Sequence, residues 1–219
     1  RRAVAFAPDL VAFSSTSNLF PAVSRFMQRL RKRLRVPFVI GGIHATLLPD
    51  HVLAHTPADY VCVGEGETSL RELARALEAG TAPDPVPGLC FRRDGTIRKN
   101  PPAVPVQDLD ALPFPEKTPF FRAGCFRTRL SVITSRGCPY HCRYCSNDVY
   151  AGRISDTPIG VRRRSPEHVL EELRQWKAAF PVRSFWFCDD VFAVHRRWLE
   201  TFVPRYTELG VSFDCHMHP

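Results

Sequence analysis

No run of about 18 consecutive apolar residues occurs in the 219-residue chain, which excludes a helix spanning a bilayer. The opening Arg1-Arg2-Ala3 leads to no h-region and no cleavage site, so no export signal is read there; without an initial Met, the start reads as processed or truncated. Acid is the scarcer charge, with 22 Asp and Glu against 30 Lys and Arg, for a net charge of +8. The surplus is spread along the chain. Its one dense block, at 29–35, shares a helical pattern with Phe26, Leu30 and Leu34 on the other face, so a solvated helix face is expected and nucleic acid is not required as a partner. Neither a GxGxxG nor a P-loop is present, so dinucleotide and nucleoside triphosphate binding are not indicated. With 44% hydrophobic and 24% charged residues, what remains is an ordinary globular balance.

Strand-like and helix-like patterns alternate through the first 80 residues. Apolar runs at 10–13, 37–40 and 60–63 read as buried strands. Helical spacing covers 21–34 and 68–79, the latter closed by Gly80. Such alternation implies a parallel sheet with helices on its faces. Closely spaced prolines then mark 81–128 as an ordered linker, with one hairpin turning at Arg92-Arg93-Asp94-Gly95-Thr96. From 129 the alternation resumes, with strands at 130–134, 184–188 and 211–215 and helices at 166–180, capped by Ser165, and 195–209. Three parallel strands leave exposed edges and a small core, so this domain is expected to continue past Pro219.

Eight cysteines would suit a disulfide framework only in a short exported chain, and three of the eight fall within eight residues. Cys138, Cys142 and Cys145 have the spacing C-x3-C-x2-C in a loop directly after a predicted parallel strand. Structural zinc takes four protein ligands, usually from paired knuckles, and no second pair lies nearby. Three thiolates with one open position match a 4Fe–4S cluster with one free iron. The alternatives are zinc with His141 as fourth ligand, and unligated thiols. Metal chemistry of this kind points to a reducing compartment, the cytoplasm.

The segment from Ser135 through Gly137, Cys138, Cys142 and Tyr144 to Cys145 resembles the cluster loop of radical S-adenosylmethionine (SAM) enzymes, CxxxCx-aromatic-C. The resemblance implies that Cys138, Cys142 and Cys145 hold the cluster, that SAM chelates the free iron, and that Tyr144 lies against the adenine. Reductive cleavage of SAM would then give a 5'-deoxyadenosyl radical. Arg164-Ser165-Pro166-Glu167, and the strand end Cys188-Asp189-Asp190, resemble the next elements of that family's (β/α)6 partial barrel. The 188–190 edge is the implied meeting point with the SAM amino group. On the residues alone, Asp189 and Asp190 are equally well simple loop carboxylates, and Cys188 suits a core. The family often carries a positive residue after the third strand. Here that text is Cys215-His216-Met217-His218-Pro219, and the SAM carboxylate contact stays unassigned.

Two glycine loops each follow a predicted strand: Gly41-Gly42-Ile43-His44-Ala45-Thr46 and Gly64-Glu65-Gly66-Glu67. Singly they suit tight turns. Together, in this order, they resemble the cobalamin-binding domain that precedes the barrel in a radical SAM subgroup. That resemblance implies that Ser14, Thr16, Gly41, Gly42, Gly64, Glu65, Gly66 and Glu67 line a cobalamin pocket. The cobalt-binding DxHxxG stretch of the older cobalamin fold is missing, and His44 is expected to have a structural or solvent role. His51 and His55 are expected at the surface.

The expected fold is therefore α/β: a Rossmann-like (flavodoxin-like) cobalamin-binding domain at 1–80, incomplete at its N-terminus, then the 81–128 linker, then the first part of a radical SAM (β/α)6 barrel at 129–219. The implied cofactors are a 4Fe–4S cluster, SAM and cobalamin. The implied partners are a small-molecule substrate and an external flavodoxin- or ferredoxin-like electron donor. The implied reaction is methyl transfer to an unactivated centre, in which one SAM methylates cobalamin and another supplies the radical. Radical cyclisation or rearrangement without methyl transfer, and a non-catalytic cluster or zinc module, are the alternatives.

Overall fold

A computed structural model describes residues 2–126, 129–154 and 159–217. Positions 127–128 at the end of the expected linker, together with His218 and Pro219, lie outside the described residues. The elements run α1 (Arg2–Phe6), β1 (Val11–Ser14), α2 (Phe20–Arg31), β2 (Phe38–Gly41), α3 (Ile43–Leu47), α4 (Pro49–His55), β3 (Tyr60–Cys62), α5 (Gly66–Glu78), β4 (Leu89–Arg93) and β5 (Thr96–Lys99). They continue with α6 (Thr118–Arg122), β6 (Arg129–Val132), β7 (Ser135–Arg136), α7 (Ser146–Ile154), β8 (Arg162–Arg163), α8 (Pro166–Ala179), β9 (Ser184–Phe187), α9 (Arg196–Thr207) and β10 (Ser212–Cys215). The chain forms two compact units, 1–105 with 142–158, and 106–141 with 159–219.

In the first unit β1, β2 and β3 are parallel neighbours, and β4 and β5 extend the sheet antiparallel beyond β3. The hairpin of the proline-rich segment is thus built onto this sheet. Its turn places Asp94 at φ +49° and Gly95 at φ +75°, the backbone of a tight two-residue hairpin loop. Successive strand residues point to opposite faces. Phe38, Ile40 and Val61 pack with Met27, Leu30, Val52 and Leu53, while Val39 and Cys62 pack with Leu73 and Leu89. Helices therefore cover both faces, which makes β2 apolar on both sides and explains its unbroken Phe-Val-Ile run. Burying each such side chain contributes about 1.5–3 kcal/mol.

The basic block departs from expectation at two points. Phe26 is 55% exposed, whereas Leu30 and Leu34 are buried. Arg31 turns inward: its guanidinium donates to the Val36 carbonyl at 2.7 Å and the Pro57 carbonyl at 2.8 Å, meets the Asp59 carboxylate, and lies 3.8 Å from the centre of the Phe38 ring. Three acceptors and an aromatic face outweigh its hydration.

In the second unit β10, β9 and β6 form a parallel sheet, in that spatial order, and β7 and β8 form a short antiparallel ribbon. Leu130, Val132, Phe185 and Phe187 face α8 and α9, packing with Leu170, Leu173, Phe202 and Tyr206. Ser165 caps α8 as expected, its Oγ accepting from the His168 N–H at 3.1 Å with Pro166 opening the helix.

Candidate cofactor sites

In the first unit the C-terminal ends of β1, β2 and β3 lie on one edge of the parallel sheet, where open α/β sheets bind ligands. All eight residues expected to line a cobalamin pocket lie along this edge: Ser14 and Gly41 end β1 and β2, Thr16, Gly42, Gly64 and Glu65 follow in the loops, and Gly66 and Glu67 open α5. Backbone bonds stitch the first two loops: the Ser15 N–H donates to the Gly41 carbonyl at 3.1 Å, and the His44 N–H to the Ser15 carbonyl at 3.2 Å. Ser14 and Thr16 are exposed, and the Thr16 hydroxyl donates to Asn18 Oδ1 at 2.5 Å. Gly42 adopts φ +89°; a Cβ there would stand 2.8 Å from both Ser14 Oγ and the Ser15 carbonyl oxygen. Gly64 has φ +85°, and its added Cβ would stand 2.9 Å from Ile154 of α7. Gly41, by contrast, has ordinary room, with nothing nearer than 3.6 Å. Glu65 precedes α5, and Gly66 and Glu67 open it.

Thr46 joins the two glycine loops. Its hydroxyl donates to the Gly42 carbonyl at 3.0 Å and accepts from the Gly64 N–H at 2.9 Å, and the residue is fully buried. Its part in the GG-x-HAT stretch was visible in the sequence, but this bridge across 18 residues was not. His44 is 6% exposed, stacks on Phe20 with ring centroids 4.1 Å apart, and binds Ser17 Oγ through Nδ1 at 3.0 Å. Its Nε2 is buried without a hydrogen-bond partner among the described residues. Burial, and then the neighbouring His51, lower its pKa and keep the ring neutral. His51 and His55 are exposed on α4, their rings tilted with centroids 4.1 Å apart. Gly42 and Gly64 let the loops pack on Ser14, Ser15 and Ile154, and beside them the buried His44 Nε2 is the polar atom that a ligand at this edge, such as cobalamin, could take up.

The cysteine loop is divided between the units. Cys138 follows β7 in the second, and Cys142 and Cys145 precede α7 in the first. All three are free and partly exposed, and the Cys145 N–H donates to the Cys142 carbonyl at 2.9 Å in a tight turn. Tyr144, between them, is 94% exposed. Among the described residues no three His, Cys, Asp or Glu side chains stand together as a metal-binding group. Three free thiols and no disulfide give the loop a donor set that fits either a cluster with one open iron or zinc.

The 188–190 edge ends β9. Asp190 is exposed. The Cys188 thiol donates to the Trp186 carbonyl at 3.5 Å, and burial pushes its pKa up, so it stays a neutral thiol. Asp189 is 1% exposed and its carboxylate points into the protein, accepting from Thr134 and Ser135. On the sheet face away from α8 and α9, the Arg129 guanidinium lies 4.5 Å from the Trp186 ring centre and 3.4 Å from the Asp214 carboxylate, with His216 edge-on to Trp186 at 5.8 Å. Neither Arg129 nor Trp186 belongs to a motif; their alternation with Leu130 and Phe185 is the signal the sequence carries for this face.

Residues 1–74 match the family model of the B12 binding domain. The chain is 30% identical over 199 residues to the uncharacterized methyltransferase PH0819 of Pyrococcus horikoshii, covering 88% of this chain and 42% of that protein. It is also 30% identical to an anaerobic magnesium-protoporphyrin IX monomethyl ester cyclase of Synechocystis sp., covering 87% of this chain and 38% of the cyclase. In fold it resembles the radical S-adenosylmethionine methyltransferase TsrM of Kitasatospora setae, with a TM-score of 0.74 at 18% identity, over 95% of this chain and 42% of TsrM. The chain is thus similar, over most of its length, to members of the B12-binding-domain-containing radical SAM family. It spans less than half the length of the curated relatives it matches.

Proposed function

We propose that this chain is part of a cobalamin-dependent radical SAM enzyme, with methyl transfer to an unactivated centre as its reaction. The observation that carries this is two site signatures in one chain, in order: the glycine cradle at the sheet edge, with Gly42 packed on Ser14 and Ser15, and the CxxxCxxC loop after β6 and β7. The domains proposed are cobalamin binding at 1–80, a linker at 81–128 and the barrel portion at 129–219. When bound, the cluster supplies the electron that cleaves SAM, and cobalamin supplies a methyl carrier.

The protein's own residues do the binding and orienting. Cys138, Cys142 and Cys145 would hold the cluster, and exposed Tyr144 offers an aromatic face for the adenine. The 188–190 edge would meet the SAM amino group through backbone, the Cys188 thiol or Asp190, because the Asp189 carboxylate is already occupied. Ser14, Thr16, Gly41, Gly42 and the 64–67 loop would line the cobalamin pocket. The Arg129–Trp186–Asp214 face suits a small-molecule substrate with polar groups around a flat or apolar body. An external flavodoxin- or ferredoxin-like donor would supply the electron, and the cytoplasm is the proposed compartment.

The test is anaerobic reconstitution of the full chain with iron, sulfide and hydroxocobalamin. About four irons per chain and deoxyadenosine release on reduction with SAM are expected, and both should vanish in the Cys138→Ala/Cys142→Ala/Cys145→Ala variant. Gly42→Ala should lose cobalamin while keeping the iron chromophore. Stoichiometric zinc without iron would refute the reading. A second reading, radical cyclisation without methyl transfer, draws on the match to a protein named as a cyclase. Deuterated-methyl SAM separates the two by the mass of the product.

A further inference from the structure

β6 ends at Val132, and the chain must turn through Thr134 and Ser135 to reach Cys138. Asp189 sits at the end of the neighbouring β9, 55 residues away, and takes up the donors of that turn. The Thr134 N–H lies 3.1 and 3.2 Å from its two oxygens, the Thr134 hydroxyl donates at 2.8 Å, and the Ser135 hydroxyl makes a fourth, short bond. Thr134 is fully buried and Ser135 nearly so.

The turn is held from its other side as well. Arg163 Nη1 donates to the Thr134 hydroxyl oxygen at 3.1 Å while its Nη2 donates to the Phe192 carbonyl at 3.0 Å, and its guanidinium lies 4.8 Å from the Trp198 ring centre. The Arg164 N–H takes the Thr134 carbonyl at 2.9 Å, and Arg164 Nη1 the Ile133 carbonyl at 3.1 Å. The β7–β8 ribbon pairs Ser135 with Arg163 and Arg136 with Arg162. Gly137, at φ +94°, then passes so close to Gly160 that a Cβ would stand 3.3 Å from its carbonyl oxygen.

Among the described residues the carboxylate is given donors from this one turn, and a buried carboxylate so placed is a brace for it. Resting on the reading of the 138–145 loop as a cluster loop, we infer that Asp189 is a positioning residue, not a SAM ligand. Through Thr134 and Ser135 it fixes where the chain leaves the sheet, and so where Cys138 is delivered. Arg163 is the cation that balances it, one hydroxyl away.

The experiment uses the full chain as wild type, Asp189→Asn, Thr134→Val and Thr134→Ser. In the cluster-free protein, exchange of the Thr134 amide should speed up by roughly tenfold or more in Asp189→Asn, while the core amides of Phe185 and Phe187 keep their protection. After anaerobic reconstitution, Asp189→Asn should bind several-fold less iron and give a broadened electron paramagnetic resonance signal when reduced. Thr134→Val should move the same way by a smaller step, and Thr134→Ser, which keeps the hydroxyl, should match wild type. If Asp189→Asn does not fold, the two Thr134 variants decide alone.

Wild-type iron content and signal in both Asp189→Asn and Thr134→Val overturn the inference. So does a pattern in which Asp189→Asn builds a normal cluster but loses the SAM-induced change in its signal while Thr134→Val keeps it, which would make Asp189 a SAM contact. A colourless wild type is a different failure. It overturns the cluster reading itself, and the inference with it.

Discussion

Glu172 shows how much one side chain can organise. It is 1% exposed on α8 and accepts from Lys117 Nζ at 2.6 Å, Arg164 Nη1 at 2.6 Å and Trp176 Nε1 at 3.2 Å. Burial alone would raise its pKa, but Lys117 and then Arg164 outweigh it and the net shift is downward. A lowered folded-state pKa means that ionised Glu172 stabilises the fold above the usual glutamate range, and that this contribution is lost as pH falls through the folded value. Glu172→Gln keeps the shape but leaves two buried cations without their counter-ion. It should destabilise the second unit by about 3–5 kcal/mol at pH 7, and the gap from wild type should narrow in urea titrations repeated toward pH 3. An equal gap at every pH would assign the loss to packing.

At the level of elements, what could be read in advance depended on whether the deciding contacts were local. The strands at β2 and β9 announce themselves as apolar runs bounded by polar or glycine residues, and α8 carries its own start signal in Ser165, Pro166 and Glu167. Ser165→Ala should therefore cost about 1 kcal/mol, seen as a lower urea midpoint with an unchanged slope. The cysteine spacing and both glycine loops were legible for the same reason. The α7 helix was not, because Ser146–Ile154 has little apolar periodicity and buries only Ile154. The two-residue strands β7 and β8 were also invisible, since each exists only through its partner. Nor could sequence spacing show that Arg31 would fold back onto Asp59, or that Asp189 would reach Thr134. Those bonds join residues 28 and 55 positions apart and depend on a sheet already formed.

On the scale of the whole molecule, each unit has its own core, and all three tryptophans, Trp176, Trp186 and Trp198, lie in the second. Tryptophan fluorescence thus reads one unit, while far-ultraviolet circular dichroism reads both. Hydroxocobalamin at about 100 times its dissociation constant should stabilise the unit that binds it by about 2.7 kcal/mol. The gain should appear in the dichroism transition, be absent in Gly42→Ala, and be reported by fluorescence only to the extent that the two units unfold together. No helix among the described residues is long and apolar enough to cross a membrane. Of the chain's cations, Lys117 and Arg164 share the buried Glu172 carboxylate, whereas Arg31 pairs with the exposed carboxylate of Asp59.

The Thr46 hydroxyl, donor to one glycine loop and acceptor from the other, acts as a gauge block between two walls. Whatever widens the gap on one side must break a bond on the other. The two loops therefore hold one preferred spacing whether or not anything binds beside them.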